Sequence, residues 1–380
     1  MKLSERILNI QESKTVQFTP MLQKMRREGK LIFDFAVGEP DFETPLPIID
    51  ATKKALDDLK TRYGPVPGLS ELRLHLAKAF DGYSEENIIL SNGSKMSLYS
   101  IFQVICNPGD EVIVPRPYWV SFVEQIKLAG GVPVIVDTKN HHLDPEAIEQ
   151  AMTDKTRAMI INSPNNPTGA VYPESTLREV LGLAESKGIY VVSDEAYDHF
   201  IYDVPEPGSL FSLGIHREAL IVVKSFSKHY NMTGFRIGYV AASREIVHAM
   251  TRFQGHTSGN VCTFAQYGAL AAVFMNGDLS QKEKAELKHK RDLAYHALSA
   301  LVPCVRPDGT FYVFPNISSC LKKDETSGDF ARDVLEKTGV AVVPGEAFGM
   351  DGHIRLSYAA PENLLTEGLE RLCDYIKNRS

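Results

Sequence analysis

The sequence predicts an α/β fold in which a large unit, with a mostly parallel sheet between helix layers, is followed by a smaller α+β unit. Three observations carry this. Short β-branched runs at 111–114, 133–136, 158–161, 189–192, 220–223 and 236–241 alternate with longer helix-like segments such as 173–187 and 243–253, the pattern of βαβ units. Most runs are continuous in Val and Ile rather than broken by polar residues, as suits strands covered on both faces. After the charged stretch 281–291 the pattern changes to a helix, strands around 304–314 and 340–343, and a closing helix over 361–378. The expected division is a large domain at 44–285 and a small domain at 286–380. Residues 1–43 supply an N-terminal arm and part of the small domain, since they cannot make a domain alone.

Composition narrows the function. Of the 380 residues 43% are hydrophobic and 23% charged, which excludes collagen-like, disordered and coiled-coil chains. The net charge of −7 offers no broad field for a nucleic acid backbone, so any anion must be held locally. Apolar stretches such as 265–275 are far shorter than the ~20 residues of a membrane span. The first residues lack the apolar core of a secretory signal, and a cytoplasmic location is expected. Five scattered cysteines without CxxC spacing argue against a disulfide framework or a zinc site, and no metal is expected.

In an open parallel sheet ligands sit beyond the carboxyl ends of the strands, so the residues after each run matter most. The run 158–161 leads into Asn162-Ser163-Pro164-Asn165-Asn166-Pro167-Thr168-Gly169, and 189–192 into Ser193-Asp194-Glu195-Ala196-Tyr197. The run 220–223 leads into Ser225-Phe226-Ser227-Lys228, then Asn231-Met232-Thr233-Gly234-Phe235-Arg236-Ile237-Gly238. Each piece alone has a bland reading: a turn, a helix N-cap, a solvated lysine, a surface ion pair. Their coincidence on successive strand ends gathers an amide, a carboxylate, a phenol, an amine and a guanidinium at one crevice.

Together these motifs resemble the class I and II aminotransferases of the aspartate aminotransferase family, prephenate aminotransferases included, which have fold type I of the pyridoxal phosphate enzymes. Ser225-x-Ser227-Lys228-x-x-x-Met232-x-Gly234-x-Arg236-x-Gly238 is similar to the family's cofactor-lysine signature at every defining position. Further similarity runs from Gly38-Glu39-Pro40-Asp41-Phe42 through Pro117-Tyr118-Trp119 to Arg355-Leu356-Ser357-Tyr358. The resemblance implies a cofactor, pyridoxal 5'-phosphate, held as an imine by Lys228, which then serves as the base, with Asp194 rather than Glu195 keeping the ring nitrogen protonated. It gives Asn166 and Tyr197 the phenolic oxygen, Trp119 the ring face, and Gly93, Ser94, Ser225 and Arg236 the phosphate, at the start of the helical run that follows Asn92-Gly93-Ser94-Lys95. Arg355, with Gly38, Asn166 and Trp119 beside it, matches the grip on the substrate α-carboxylate. Tyr63 matches a phosphate contact supplied by a second subunit, which implies a homodimer, and 258–260 resembles the intersubunit loop.

For substrates the resemblance implies an amino acid and a 2-oxo acid, with aspartate or glutamate as donor, because Ser13, Thr15 and Lys95 stand where the family receives a distal carboxylate. Glu12-Ser13-Lys14 departs from the usual Pro-Ser-Ala, which puts the specificity in doubt. A prephenate aminotransferase of the same subgroup stays open, as does a lyase, although Arg355 and Trp119 favour transamination. A serine β-lactamase reading, suggested by Ser225-x-x-Lys228 and Lys337-Thr338-Gly339, fails because Ser193-Asp194 precedes the Ser-x-x-Lys motif. A non-catalytic protein of this fold would show a damaged site, and the site residues are all present.

Overall fold

The computed structural model describes residues 3–11, 19–205, 208–275 and 281–379. Seven strands form its main sheet: β1 (Ile88–Ser91), β2 (Glu111–Arg116), β3 (Val132–Asp137), β4 (Thr156–Asn162), β5 (Tyr190–Asp194), β6 (Leu220–Ser225) and β7 (Gly238–Ala241), in the spatial order β1-β7-β6-β5-β4-β2-β3. Neighbours among β2 to β6 are parallel, whereas β7 runs antiparallel to both β1 and β6. The chain between β6 and β7 holds only the single helical turn Phe226–His229 and a 3-10 turn at Thr233–Phe235, and β7 returns beside β6 in the opposite sense. The run expected as a strand from 236 begins two residues later, because Arg236 takes the left-handed conformation with φ 55° that ends the 3-10 turn.

Side chains along the strands alternate between two cores. Ile88, Leu90, Val191 and Val222 join one, while Ile89, Val192, Ile221 and Val223 join the other. Burial on both faces explains why these strands read as continuous apolar runs. A third core is built by the helices Gln281–Ser299, Ser327–Thr338 and Glu362–Lys377 around a three-stranded antiparallel sheet, with Ile354–Ser357 between Val343–Pro344 and Tyr312–Val313. Phe33–Asp34 pairs in parallel with Val340–Ala341, and Leu22 and Met25 of the helix Thr19–Arg27 enter the same core. Residue 285 lies inside the helix Gln281–Ser299, whose buried Leu287, Ala294 and Leu298 all belong to this third core. No described helix is long and apolar enough to cross a membrane.

The register brings the strand ends level. Asn162 pairs with Asp194, Asp194 with Val223, and Gly238 with both Ser225 and Ser91. The polar residues that close β1, β4, β5 and β6 therefore share one edge of the sheet, where the third core's strand Ile354–Ser357 approaches.

Candidate active site

A cavity of about 520 Å³ opens at this edge, lined by Ser94, Lys95, Trp119, Asn166, Asp194, Tyr197, Ser225, Lys228, Arg236, Gly38 and Arg355, among others. Gly93 sits just beneath, at the start of the helix Ser94–Ile105. Its φ of +82° and an ideal Cβ only 2.5 Å from Arg236 Nη2 explain why glycine is needed there. Ser91 Oγ donates to the Gly93 carbonyl at 3.2 Å and fixes this turn. Ser225 caps the next helical turn by accepting the Ser227 N–H at 3.2 Å. Gly238 is equally constrained, since its Cβ would fall 2.5 Å from the Ser94 nitrogen. Ser94, Ser225 and the Arg236 guanidinium thus form a compact cup of donors.

Lys228 donates to the Gly38 carbonyl, and burial in the cavity brings its amine down to about 8. Arg355, Arg236 and Lys95 push in the same direction, while Glu39 opposes them. Asp194, 6% exposed, is pushed up to about 7, again chiefly by burial, with only the Ala196 N–H opposing and Glu195 and Asp198 adding to the rise. Glu195 turns elsewhere: its Oε1 accepts from Ser193 Oγ, Ser209 Oγ and the Leu210 N–H at 2.9, 2.9 and 3.0 Å.

Arg355 is 4% exposed and held from two sides, Nη1 donating to Asn166 Oδ1 at 3.0 Å and Nη2 to the Ala36 carbonyl at 2.8 Å. Its guanidinium stacks 4.2 Å from the Tyr312 ring centre, and its Nε is buried without a partner. Tyr197 OH lies 3.5 Å from Asn166 Nδ2 and 3.0 Å from Tyr312 OH. The Lys95 ammonium sits over the Trp119 ring at 5.1 Å, and burial, then Arg236, lowers its pKa.

Tyr63 does not join this cavity within one chain and is fully exposed. Ser13 and Thr15 lie outside the described residues. Two lining residues carry weight that sequence reasoning missed. Asn162 accepts the Asn166 N–H and donates to the Asp194 carbonyl, both at 3.0 Å, which joins the two strand-end turns. The signal for it was a polar residue closing an apolar strand. Tyr312 lies within the apolar stretch Phe311-Tyr312-Val313-Phe314, and nothing in that pattern singles it out.

Residues 30–376 match the family model described as aminotransferase class I and II. The chain is 38% identical to the aspartate aminotransferase of Bacillus subtilis, with 100% of each chain covered, and 40% identical to the aspartate/prephenate aminotransferase of Thermus thermophilus, with 97% of each covered. Among solved structures, the Thermus thermophilus aspartate aminotransferase with maleate superposes with a TM-score of 0.90 at 37% identity, covering 99% of this chain and 100% of that one. The aspartate aminotransferase of Thermotoga maritima gives 0.93 at 34% identity, with 99% and 100% covered. The chain belongs to the class I and II aminotransferase family, which uses pyridoxal phosphate, and is an enzyme that moves amino groups between amino acids and 2-oxo acids.

Proposed function

We propose that the protein binds pyridoxal 5'-phosphate at Lys228 and transfers the amino group of aspartate or glutamate to a 2-oxo acid by a ping-pong mechanism. One observation carries the reading: a lysine amine, a buried carboxyl and a buried guanidinium line the same cavity. The residues fit the cofactor. Glycine at 93 lets the Arg236 guanidinium lie against the backbone beside Ser94 and Ser225, where donors suit a phosphate, and Asp194 is an acid whose pKa burial raises, suited to a protonated ring nitrogen. When bound, the cofactor supplies a carbonyl and an electron sink for cleavage of the substrate's Cα–H bond.

The chain's own residues do the rest. Lys228, brought down to about 8, offers a far larger neutral fraction near pH 7 than an exposed lysine, and its Nζ moves the proton at the substrate Cα. Arg355 binds the α-carboxylate with a guanidinium that Asn166 Oδ1 and the Ala36 carbonyl hold in place. Asn166 and Tyr197 would hold the phenolic oxygen and Trp119 would lie against the ring, since all three line the cavity. Lys95, with Ser13 and Thr15, receives the distal carboxylate. Tyr63 completes the phosphate site of the other subunit in a homodimer, and the enzyme works in the cytoplasm. The domain division at 43/44 and 285/286 belongs to the same reading, the second boundary lying within a helix.

Prephenate is the second acceptor to test, because the Thermus thermophilus relative at 40% identity is named an aspartate/prephenate aminotransferase. A half-reaction screen decides: aspartate and glutamate should convert the visible spectrum of cofactor-loaded protein, and prephenate should reverse it if accepted. A spectrum that no amino acid changes rejects the function.

A further inference from the structure

We propose that Lys224 is a positioning residue for this site, clamping Glu195 and Asp198 so that the segment carrying Asp194 and Tyr197 stays fixed against the loop carrying Lys228. The inference rests on the function proposed above. Lys224 Nζ lies 3.1 Å from Glu195 Oε2 and donates to Asp198 Oδ2. It is the residue before Ser225, while its two partners follow Asp194 and Tyr197 directly. The clamp therefore joins the ends of β5 and β6 on the side away from the cavity, where Lys224, Asp198, His199 and His229 line a second space of about 320 Å³.

Three carboxylates, Asp194, Glu195 and Asp198, fall within five residues, and a single amine faces the latter two. The other titratable groups that line this space are Tyr239 on β7, His75, Tyr230, His199, whose Nε2 lies 3.4 Å from Asp198 Oδ1, and His229, whose ring packs on those of His199 and Tyr230. Burial alone would lower the Lys224 ammonium and raise the Asp198 carboxyl; their mutual attraction, joined by Glu195 and Tyr239 at Lys224 and by His199 and His229 at Asp198, outweighs it, so Lys224 is held above and Asp198 below its ordinary value. Glu195 and Asp198 each raise Asp194. Without the amine, the two carboxylates beside Asp194 lose the cation that acts on both, and protonated forms in the adjoining cavity are favoured.

The sign of that effect separates it from simple loss of packing. The visible band of cofactor-loaded protein is titrated with pH, alongside cofactor Kd, for Lys224→Met, Asp198→Asn and the double variant. The midpoint should rise by about half a pH unit or more in Lys224→Met, fall in Asp198→Asn, and return to the parental value in the double variant. Cofactor affinity should weaken in Lys224→Met and recover in the double variant. Midpoints that coincide with the parent, or single variants that shift the same way, overturn the role. If Lys224→Met fails to fold, the fall in Asp198→Asn and the return in the double variant decide alone. A parent that takes up no cofactor overturns the functional reading and this one with it; a parent that titrates beside unmoved variants overturns only this one.

Discussion

Arg355 Nη1 donates to Asn166 Oδ1 across 3.0 Å, joining the strand Ile354–Ser357 to the turn that follows β4. The guanidinium comes from the strand of the third core and its orienting amide from the main sheet's turn, so the α-carboxylate grip proposed above draws on both. Its position depends on Asn162, which holds Asn166 and Asp194 in register.

Arg355→Ala should weaken every amino acid substrate, because all share the α-carboxylate. A charge-assisted bond of about 1.5–3 kcal/mol corresponds to a roughly ten- to hundredfold loss in kcat/KM. Lys95→Ala should lose that factor for aspartate and glutamate while leaving alanine much less affected. Kinetics on one acidic and one neutral substrate at saturating cofactor check both; equal losses in Lys95→Ala would assign Lys95 to the cofactor instead.

Gly93→Ala places a Cβ 2.5 Å from Arg236 Nη2 on a backbone with φ +82°. A backbone at φ 82° and ψ 159° is open essentially to glycine alone and costs an alanine roughly 1–3 kcal/mol of stability, and displacement of the guanidinium opens the donor cup. Loss of that charge-assisted contact, about 1.5–3 kcal/mol, should raise cofactor Kd roughly ten- to hundredfold. Equilibrium titration with pyridoxal phosphate measures it, and an unchanged Kd would show that the cup does not hold the phosphate.

The pH dependence of the cofactor-free protein should carry two marks. Asp194 rises from 3.8 to about 7 on folding, so its contribution to stability is complete below the ordinary carboxylate value and is lost as pH climbs through about 7. Lys228 falls from 10.5 to about 8, so the unfolded chain binds more protons across that window and stability grows with pH from about 8 upward. Asp194→Asn should melt higher than the parent above pH 7, by a few degrees, with the difference closing toward pH 4. Parallel melting curves would contradict the buried acid.

Tyr63 stands fully exposed, with Leu59 at 77% nearby, as expected of residues that a second chain covers. Mixing inactive Lys228→Ala with inactive Tyr63→Ala should generate active hybrids in which one site has both residues intact. Mixtures that stay inactive despite subunit exchange would remove Tyr63 from the site.

Much of this was readable because strands buried on both faces leave continuous apolar runs, and the polar residues that break them stand at the sheet edge where the cavity forms. Asp194, Lys228 and Asn166 were found this way. Ile88–Ser91 escaped as a strand because it is one short turn of sequence away from the glycine loop it serves. The reversal of β7 was hidden too, since strand direction depends on a connection that apolar pattern does not record. Tyr312 joins the site through tertiary packing beneath Arg355, at 4.2 Å, and Lys224 through ion pairing, neither of which has a local period.

On the reading proposed above, Lys228 is the residue that carries the cofactor. Borohydride reduction of the loaded protein followed by peptide mapping tests it most directly. The pyridoxyl label should fall on Lys228 and should vanish in Lys228→Ala; a label on another lysine, or none in a protein that has taken up the cofactor, would contradict the account.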